Sequence, residues 1–498
     1  MSVHETAPAV PLSDGQSAAG QHRDGMYCGG QWIAPPQGRE RKLRDPSTGA
    51  PLGTVSLAGA DDADALVAAA ERSAAGWAGC GPVRRAEILE AIAERWEARG
   101  EELAELVSRE MGMPLGASRG NNVHGPVAVL RYYAGLARGL ETVERRAPLL
   151  FDGTVSIHRA PLGVVAAIVP WNYPWMLLAT KLGPALAAGC PVIVKPAEEN
   201  ALSARLLATV LDEAGVPPGV VNVAVGGADL AAALVAHPGV AKVAFTGSTA
   251  VGRSIGATVG GRLAASNLEL GGKSAAIVLD DADLDLTLSR LPALSYLNSG
   301  QTCFAQTRVI ATPGIYERIV EGYREYVQAQ RVGPALDESS ALGPVASAAA
   351  RDRIEGAITG AVSAGARLIR PALPADLPPD GHYVAPAVLA DVDNDWPVAR
   401  EEIFGPVVCL IRARDAEDAV RLANDNAYGL AGTVWTRDLD VARDIAARVQ
   451  AGSFGINGYL PDLGAPWGGV KASGTGREQG PEAIEGFLRA DTVYEFGS

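Results

Sequence analysis

An α/β fold with two parallel-sheet lobes and a small β arm is what this sequence predicts, on three observations. From residue 162 the short apolar runs GVVAAIVP, PVIVKP, VVNVAV and VAKVAFTGS alternate with helix-like stretches. That is the rhythm of crossover units around a parallel sheet buried on both faces. A second alternation begins near Ala275 with SAAIVLDDADL and returns in VVCLIRA and GTVWT. Residues 141–160 and the C-terminal segment fit neither lobe, and TVSIHRA and TVYEF alternate in strand fashion.

The elements follow in order. Residues 1–25, rich in Ser, Ala, Pro, Gly and Asp, lack a basic n-region and an apolar h-region, so they predict a loose tail rather than a signal peptide. Residues 61–78 open acidic and continue Ala-rich, in helical style. Over 83–112, Ile88, Leu89, Ile92, Trp96, Leu103, Leu106 and Val107 recur at helical spacing. Val164–Val169 is a buried strand ended by Pro170. The second lobe predicts a helix over 284–299, a strand at Arg308–Ala311 and a helix over 315–330, with 371–380 (PALPADLPPD) a biased loop. Sheets of this kind bind ligands at the carboxyl ends of their strands, where Pro170, Lys195 and Gly247 fall.

Composition narrows the function. The 498 residues suffice for roughly three domains. With 48% hydrophobic and 20% charged residues the chain is ordinary globular material. A net charge of −14 disfavours nucleic acid and anionic lipid as partners. No apolar run reaches the roughly 20 residues of a membrane helix. Five scattered cysteines (Cys28, Cys80, Cys190, Cys303, Cys409) without a C-x-x-C pair predict a reducing, cytoplasmic setting and no metal site.

Several motifs carry chemistry. GSTAVG, Gly247 to Gly252, follows a strand and opens a helix, where glycines and a helix N-terminus suit phosphate. Thr249 holds the middle position of the glycine fingerprint, so a tight strand–helix turn explains the segment equally well. GGKS at Gly271–Ser274 is no P-loop, because Asn267 stands where its first glycine belongs. Cys303, in the polar frame NSGQTC, is a candidate nucleophile or a small buried hydrophobe. None of the six histidines has a convincing frame for a Cys–His hydrolase. Glu269 in LELGG is either a carboxylate bound by the glycine turn or a general base whose burial raises its pKa. Asn172, between two prolines in PWNYP, is a side-chain donor or an Asx-turn residue.

PWNYP at 170–174, VKPAE at 194–198, FTGSTAVG at 245–252, LELGGKS at 268–274, GQTC at 300–303, EEIFGPV at 401–407 and PWGGVKASGTGRE at 466–478 occur in this order in one chain. From about residue 26 onward the sequence closely resembles the aldehyde dehydrogenase superfamily. The resemblance implies a Rossmann-like NAD-binding domain (26–140 and 161–270), a catalytic domain (271–473) and an oligomerisation arm (141–160 and 474–498) of a homodimer or homotetramer. It implies Cys303 as nucleophile, with the Asn172 amide and the Cys303 N–H holding the oxyanion, and Glu269 activating the water that hydrolyses a thioester. For the cofactor it implies Val169, Trp171, Lys195, Glu198, Gly247, Ser248, Gly252, Glu402 and Phe404. Glu198 favours NAD over NADP, although relatives with this glutamate also use NADP. Tyr173, Leu177, Thr180, Phe304, Leu463 and Trp467 are expected to border the substrate tunnel, with Thr180 widening its mouth. Lys181 and Glu478 match positions linked to proton traffic. The expected substrate is a medium-sized apolar or aromatic aldehyde. The competing readings are a coenzyme A-dependent acylating enzyme, a non-catalytic binding protein on the same scaffold, and a thiol hydrolase.

Overall fold

The computed structural model describes residues 25–35 and 38–497, so the expected tail lies, except for Gly25, outside the described residues. Five parallel strands form the heart of an eight-stranded sheet: Val164–Ile168, Val192–Lys195, Val221–Val223, Val240–Thr246 and Ala265–Glu269. Their valines and alanines are buried on both faces, as a sheet covered by helices on each side requires. Val164–Ile168 sits between Val192–Lys195 and Val240–Thr246, so the chain winds outward first one way and then the other. The carboxyl ends of Val164–Ile168 and Val240–Thr246 therefore flank a topological switch point, where such sheets leave a crevice. Antiparallel strands close the edges, Met26–Cys28 and Gln31–Ile33 on one side and Gly474–Thr475 on the other.

The Ala-rich stretch is the helix Ala63–Gly79. The single helical pattern over 83–112 is two helices, Pro82–Ala98 and Gly100–Met111, broken at Arg99 just before a glycine. Ile88, Leu89, Ile92, Trp96, Leu103 and Val107 are all in the first core, with Leu106 packed against it.

The second lobe is a seven-stranded sheet in the order Arg367–Ile369, Ala387–Ala390, Val407–Arg412, Arg308–Ala311, Ala275–Val278, Ala431–Trp435 and Ser453–Ile456, antiparallel only at Arg367–Ile369. The helix expected over 284–299 stops at Ser295, and a tight turn over Leu297–Gly300 follows.

The arm is a three-stranded antiparallel sheet. Leu488–Phe496 pairs along its length with Gly153–Pro161, which pairs in turn with Val143–Arg146. Gly474–Thr475 edges the eight-stranded sheet, so of the segment 474–498 only the part from Leu488 lies in the arm. Among the described residues no helix is long and apolar enough to cross a membrane, and no three potential metal ligands cluster.

Candidate active site

A cavity of about 290 Å³ lies over the switch point. Val164–Ile168 runs out through Pro170, Trp171 and Asn172 into the helix Pro174–Ala188. Val240–Thr246 runs out through Gly247 to Ser248, whose Oγ caps the helix Thr249–Gly261 by accepting the Val251 N–H at 3.4 Å. The second lobe closes the cavity with Cys303, Arg353, Glu402 and Phe404. Gly271 and Gly272 make that closure possible: a Cβ on Gly271 would stand 2.5 Å from Glu402 Oε2, and one on Gly272 2.3 Å from the Cys303 carbonyl oxygen.

Cys303 is delivered by a strained turn. Asn298 (φ 52°) and Ser299 (φ 55°) both adopt the left-handed conformation, costly for residues with a Cβ. Tertiary hydrogen bonds hold them there: Asn298 Nδ2 donates to the Asn172 carbonyl at 3.1 Å and Ser299 Oγ to the Gly343 carbonyl at 2.9 Å. Asn172 Nδ2 answers by donating to the Gln301 carbonyl at 2.9 Å, and the Tyr173 hydroxyl meets Thr302 Oγ1 at 2.7 Å. The PWNYP turn and the cysteine loop thus fix each other. Burial, then the charges of Glu402 and Glu269, push the Cys303 thiol far above its ordinary range.

Glu269 ends the strand Ala265–Glu269 and is 1% exposed, yet among the described residues neither carboxylate oxygen has a hydrogen-bond partner. The glycine-turn alternative therefore does not hold for its side chain. Burial and the nearby Glu478 raise its pKa well above the usual carboxylate range, against the pull of Lys181, Arg477 and the neighbouring Asn267 side chain. Glu478, equally buried, is fully partnered. Its Oε1 accepts from Lys181 Nζ at 2.7 Å and Asn267 Nδ2 at 3.2 Å, and its Oε2 meets Thr180 Oγ1 at 2.9 Å.

Glu402 Oε1 accepts the Gly272 N–H at 3.0 Å, and burial lifts its pKa to about 7. Trp171 meets Phe404 edge-on at 5.6 Å. Lys195 and Glu198 lie at the outer end of the same strand edge, beyond this cavity; burial lowers the Lys195 pKa.

A second, outer cavity of about 690 Å³ is lined by the helix Leu284–Ser295 and by residues between 453 and 467. Phe304, next in the chain to Cys303, packs 5.7 Å from Tyr459 and 6.4 Å from Trp467, and these two line the outer cavity with Ala293, Leu294, Phe454 and Leu460 and with the charged Arg290 and Asp462. Leu177 lines the inner cavity and Tyr173 lies beneath it.

Four expected residues fall elsewhere. Thr180 does not open onto the mouth; it is 2% exposed with its hydroxyl on Glu478. Val169 points into the first core, and Leu463 packs against that core from outside. Gly252 serves packing, because a Cβ there would meet the Leu270 side chain at 2.3 Å. Arg353 was not anticipated. It sits on the helix Ala348–Ala364 with no motif around it, donates to the Ile403 carbonyl at 2.6 Å, and is, among the described residues, the one basic side chain lining the inner cavity.

The residues present suit a dinucleotide: a capped helix N-terminus over a glycine, a basic side chain in the cavity wall and a buried carboxylate held by a backbone N–H. Comparison with known proteins agrees. Residues 32–493 match the model of the aldehyde dehydrogenase family. A geranial dehydrogenase of Castellaniella defragrans is 46% identical over 480 residues, covering 95% of this chain and 98% of its own. A 3-succinoylsemialdehyde-pyridine dehydrogenase of a Pseudomonas species is 36% identical, covering 95% and 98%. The crystal structure of a Mycobacterium tuberculosis aldehyde dehydrogenase complexed with NAD+ superposes with a TM-score of 0.91 at 40% identity, covering 94% of this chain and 97% of that one.

Proposed function

The chain belongs to the aldehyde dehydrogenase family of NAD-dependent oxidoreductases, and from that premise we propose that it oxidises an apolar, medium-sized aldehyde to the carboxylic acid through a covalent intermediate on Cys303. The single observation that carries the hydrolytic reading is the Glu269 carboxylate, buried beside the thiol with neither oxygen bonded. A buried carboxyl without partners takes up a proton more readily than an exposed one, which suits a base working near neutral pH.

The thiol of Cys303 adds to the aldehyde carbon, and its proton passes to a nearby carboxylate. The resulting oxyanion is met by the Asn172 side-chain amide and the Cys303 N–H, each such donor contributing about 2.7–4 kcal/mol of barrier lowering. A bound oxidised nicotinamide would accept the hydride that leaves this carbon as the oxyanion collapses, leaving a thioester on Cys303. Glu269 then takes a proton from water as its oxygen attacks the thioester carbon; the C–S bond breaks, the acid leaves and Cys303 regains its proton. Lys195 and Glu198 are assigned to the adenosine ribose, Gly247 and Ser248 to the pyrophosphate, and Glu402 with Phe404 to the nicotinamide end. Residues 26–140 and 161–270 are read as the cofactor domain and 271–473 as the catalytic domain.

The mostly apolar lining of the outer cavity, interrupted by Arg290 and Asp462, and the likeness to a geranial dehydrogenase support an apolar aldehyde of that class. The arm exposes Leu149 (97%), Leu150 (96%), Phe496 (73%) and Tyr494 (61%), a surface suited to another copy of the chain. Protein, geranial and NAD mixed without coenzyme A should give sustained NADH formation, faster than with succinate semialdehyde. Turnover that appears only on adding coenzyme A would replace this reading with the acylating one.

A further inference from the structure

We propose that Glu110 is a positioning residue for the adenosine end of the cofactor: from a neighbouring helix it caps the segment that carries Glu198, and the gain or loss of its proton ties cofactor affinity to pH. The inference rests on the assignment of Glu198 to the adenosine ribose and goes beyond it, to what holds Glu198 in place.

The helix Ala201–Glu213 begins directly after the turn Glu198–Asn200. Its cap residue is Asn200, a type that normally closes such an end with its own side chain. Here it does not. Asn200 is fully buried and makes no cap bond, and among the described residues neither its Oδ1 nor its Nδ2 has a hydrogen-bond partner. The N–H groups it would serve go instead to a carboxylate 92 residues before Leu202. Glu110 Oε1 accepts the Leu202 N–H at 2.6 Å and the Ser203 N–H at 3.1 Å, and Glu110 Oε2 accepts from Ser203 Oγ at 2.5 Å. Glu110 stands in the last turn of the helix Gly100–Met111 and is 4% exposed. A negative charge suits the unpaired N–H groups and the dipole of a helix start. The ionised Glu110 therefore fastens the two helices together, and the Glu198 turn is strung between that joint and the strand Val192–Lys195.

This cap can lose its charge near neutrality. Burial pushes the Glu110 carboxyl up to about 7, against bonds from Ser203, Leu202 and the Asn200 side chain, none of them ionised. The charged groups on the elements packed against its helix have partners of their own. Arg119 pairs with Glu101 and Glu338, Arg99 with Glu102 and Glu213, and Arg41 with Glu198 and Glu199. Arg109 acts on Asp45 and His124 on Glu97, Glu105 is exposed, and Arg205 is half-buried. A proton on Glu110 replaces charge-assisted bonds with neutral ones about half as strong, so the Glu198 turn loosens as pH falls.

The test is isothermal titration calorimetry of the full chain with NAD at pH 8.5 and pH 5.5, on wild type, Glu110→Gln, Ser203→Ala and Glu198→Gln. At pH 8.5 Glu110→Gln should weaken NAD by at least about fivefold, as expected for lost charge-assisted bonds, and Ser203→Ala should do so to a smaller extent. At pH 5.5 both gaps should close to within about twofold, because wild type then carries a neutral Glu110 as well. Glu402 also titrates near neutrality, but it is common to wild type and both variants and cancels in the ratio. No gap at pH 8.5, or a gap of the same size at both pH values, overturns the proposal. If Glu110→Gln does not fold, Ser203→Ala decides by the same two outcomes. A Glu198→Gln chain that binds NAD as wild type does removes the ribose assignment and this proposal with it. One that binds weakly while Glu110→Gln and Ser203→Ala bind normally leaves the assignment standing and sinks this proposal alone.

Discussion

The two ends of the cleft handle charge in opposite ways. At the inner end Glu269 is buried with both oxygens unbonded, beside a thiol that Glu269 and Glu402 make harder to ionise. At the outer end Glu198, Glu199 and Asp229 each meet a guanidinium in half-exposed surroundings. A buried group without partners keeps a displaced proton affinity, which chemistry can use, at a cost in stability. A paired group near solvent costs little and serves recognition. The contrast recurs within a single neighbourhood, where Glu478 is bonded to Lys181, Asn267 and Thr180 while, among the described residues, neither Glu269 oxygen meets the geometry of a hydrogen bond, which leaves Glu269 the freer of the two to act on an entering molecule.

Substitutions can sharpen or break that contrast. The largest effect belongs to Cys303→Ala, which should lower kcat by about 10⁴-fold or more while NAD affinity, read by calorimetry, stays near wild type. Retained turnover would remove the thiol from the reaction.

Glu269→Gln comes next. It should slow steady turnover by about 10²–10⁴-fold but keep a first-turnover burst of NADH, because thioester hydrolysis needs the base and hydride transfer does not. In wild type the hydrolysis step should accelerate with pH through a range above that of ordinary carboxylates, since Glu269 acts only when deprotonated and its pKa is raised. The same shift bears on stability. A folded pKa above the unfolded value favours folding below the unfolded pKa and is lost as pH rises through the folded one. Replacing Glu269 by Gln should therefore raise Tm at pH 8 and not at pH 4. A burst lost with the steady rate, or a lowered Tm at pH 8, would contradict the unpaired-base reading.

The smallest effect is at Glu402. Glu402→Gln removes the charge that, after burial, raises the Cys303 thiol most, so iodoacetamide should label Cys303 a few-fold faster at pH 8 by mass spectrometry. Unchanged labelling would show that the Glu402 charge does not govern the thiol.

The strands at the switch point were legible because short runs rich in valine, alanine and isoleucine, interrupted only by Lys242 in the last of them, are closed by Pro170, Lys195 and Gly247. The break at Arg99 was not, since apolar spacing runs through it and only Gly100 marks the stop. Asn298 and Ser299 show nothing in sequence of their left-handed backbone, because the bonds that hold it come from Asn172 and Gly343. Thr180 aligns with a tunnel position, but its hydroxyl meets a carboxylate 298 residues away, a pairing that local pattern does not encode. Arg353 has the look of any exposed helical arginine until the second lobe folds over the first.

The arm carries a different kind of consequence. Gly153–Pro161 finds one of its two neighbours in Leu488–Phe496, made more than 300 residues later on the ribosome. For most of synthesis that strand is a bare edge beside Leu149 and Leu150, open to another nascent chain. Cells making a version shortened before Leu488 should accumulate it as insoluble aggregate, even though every group facing the two cavities would still be encoded.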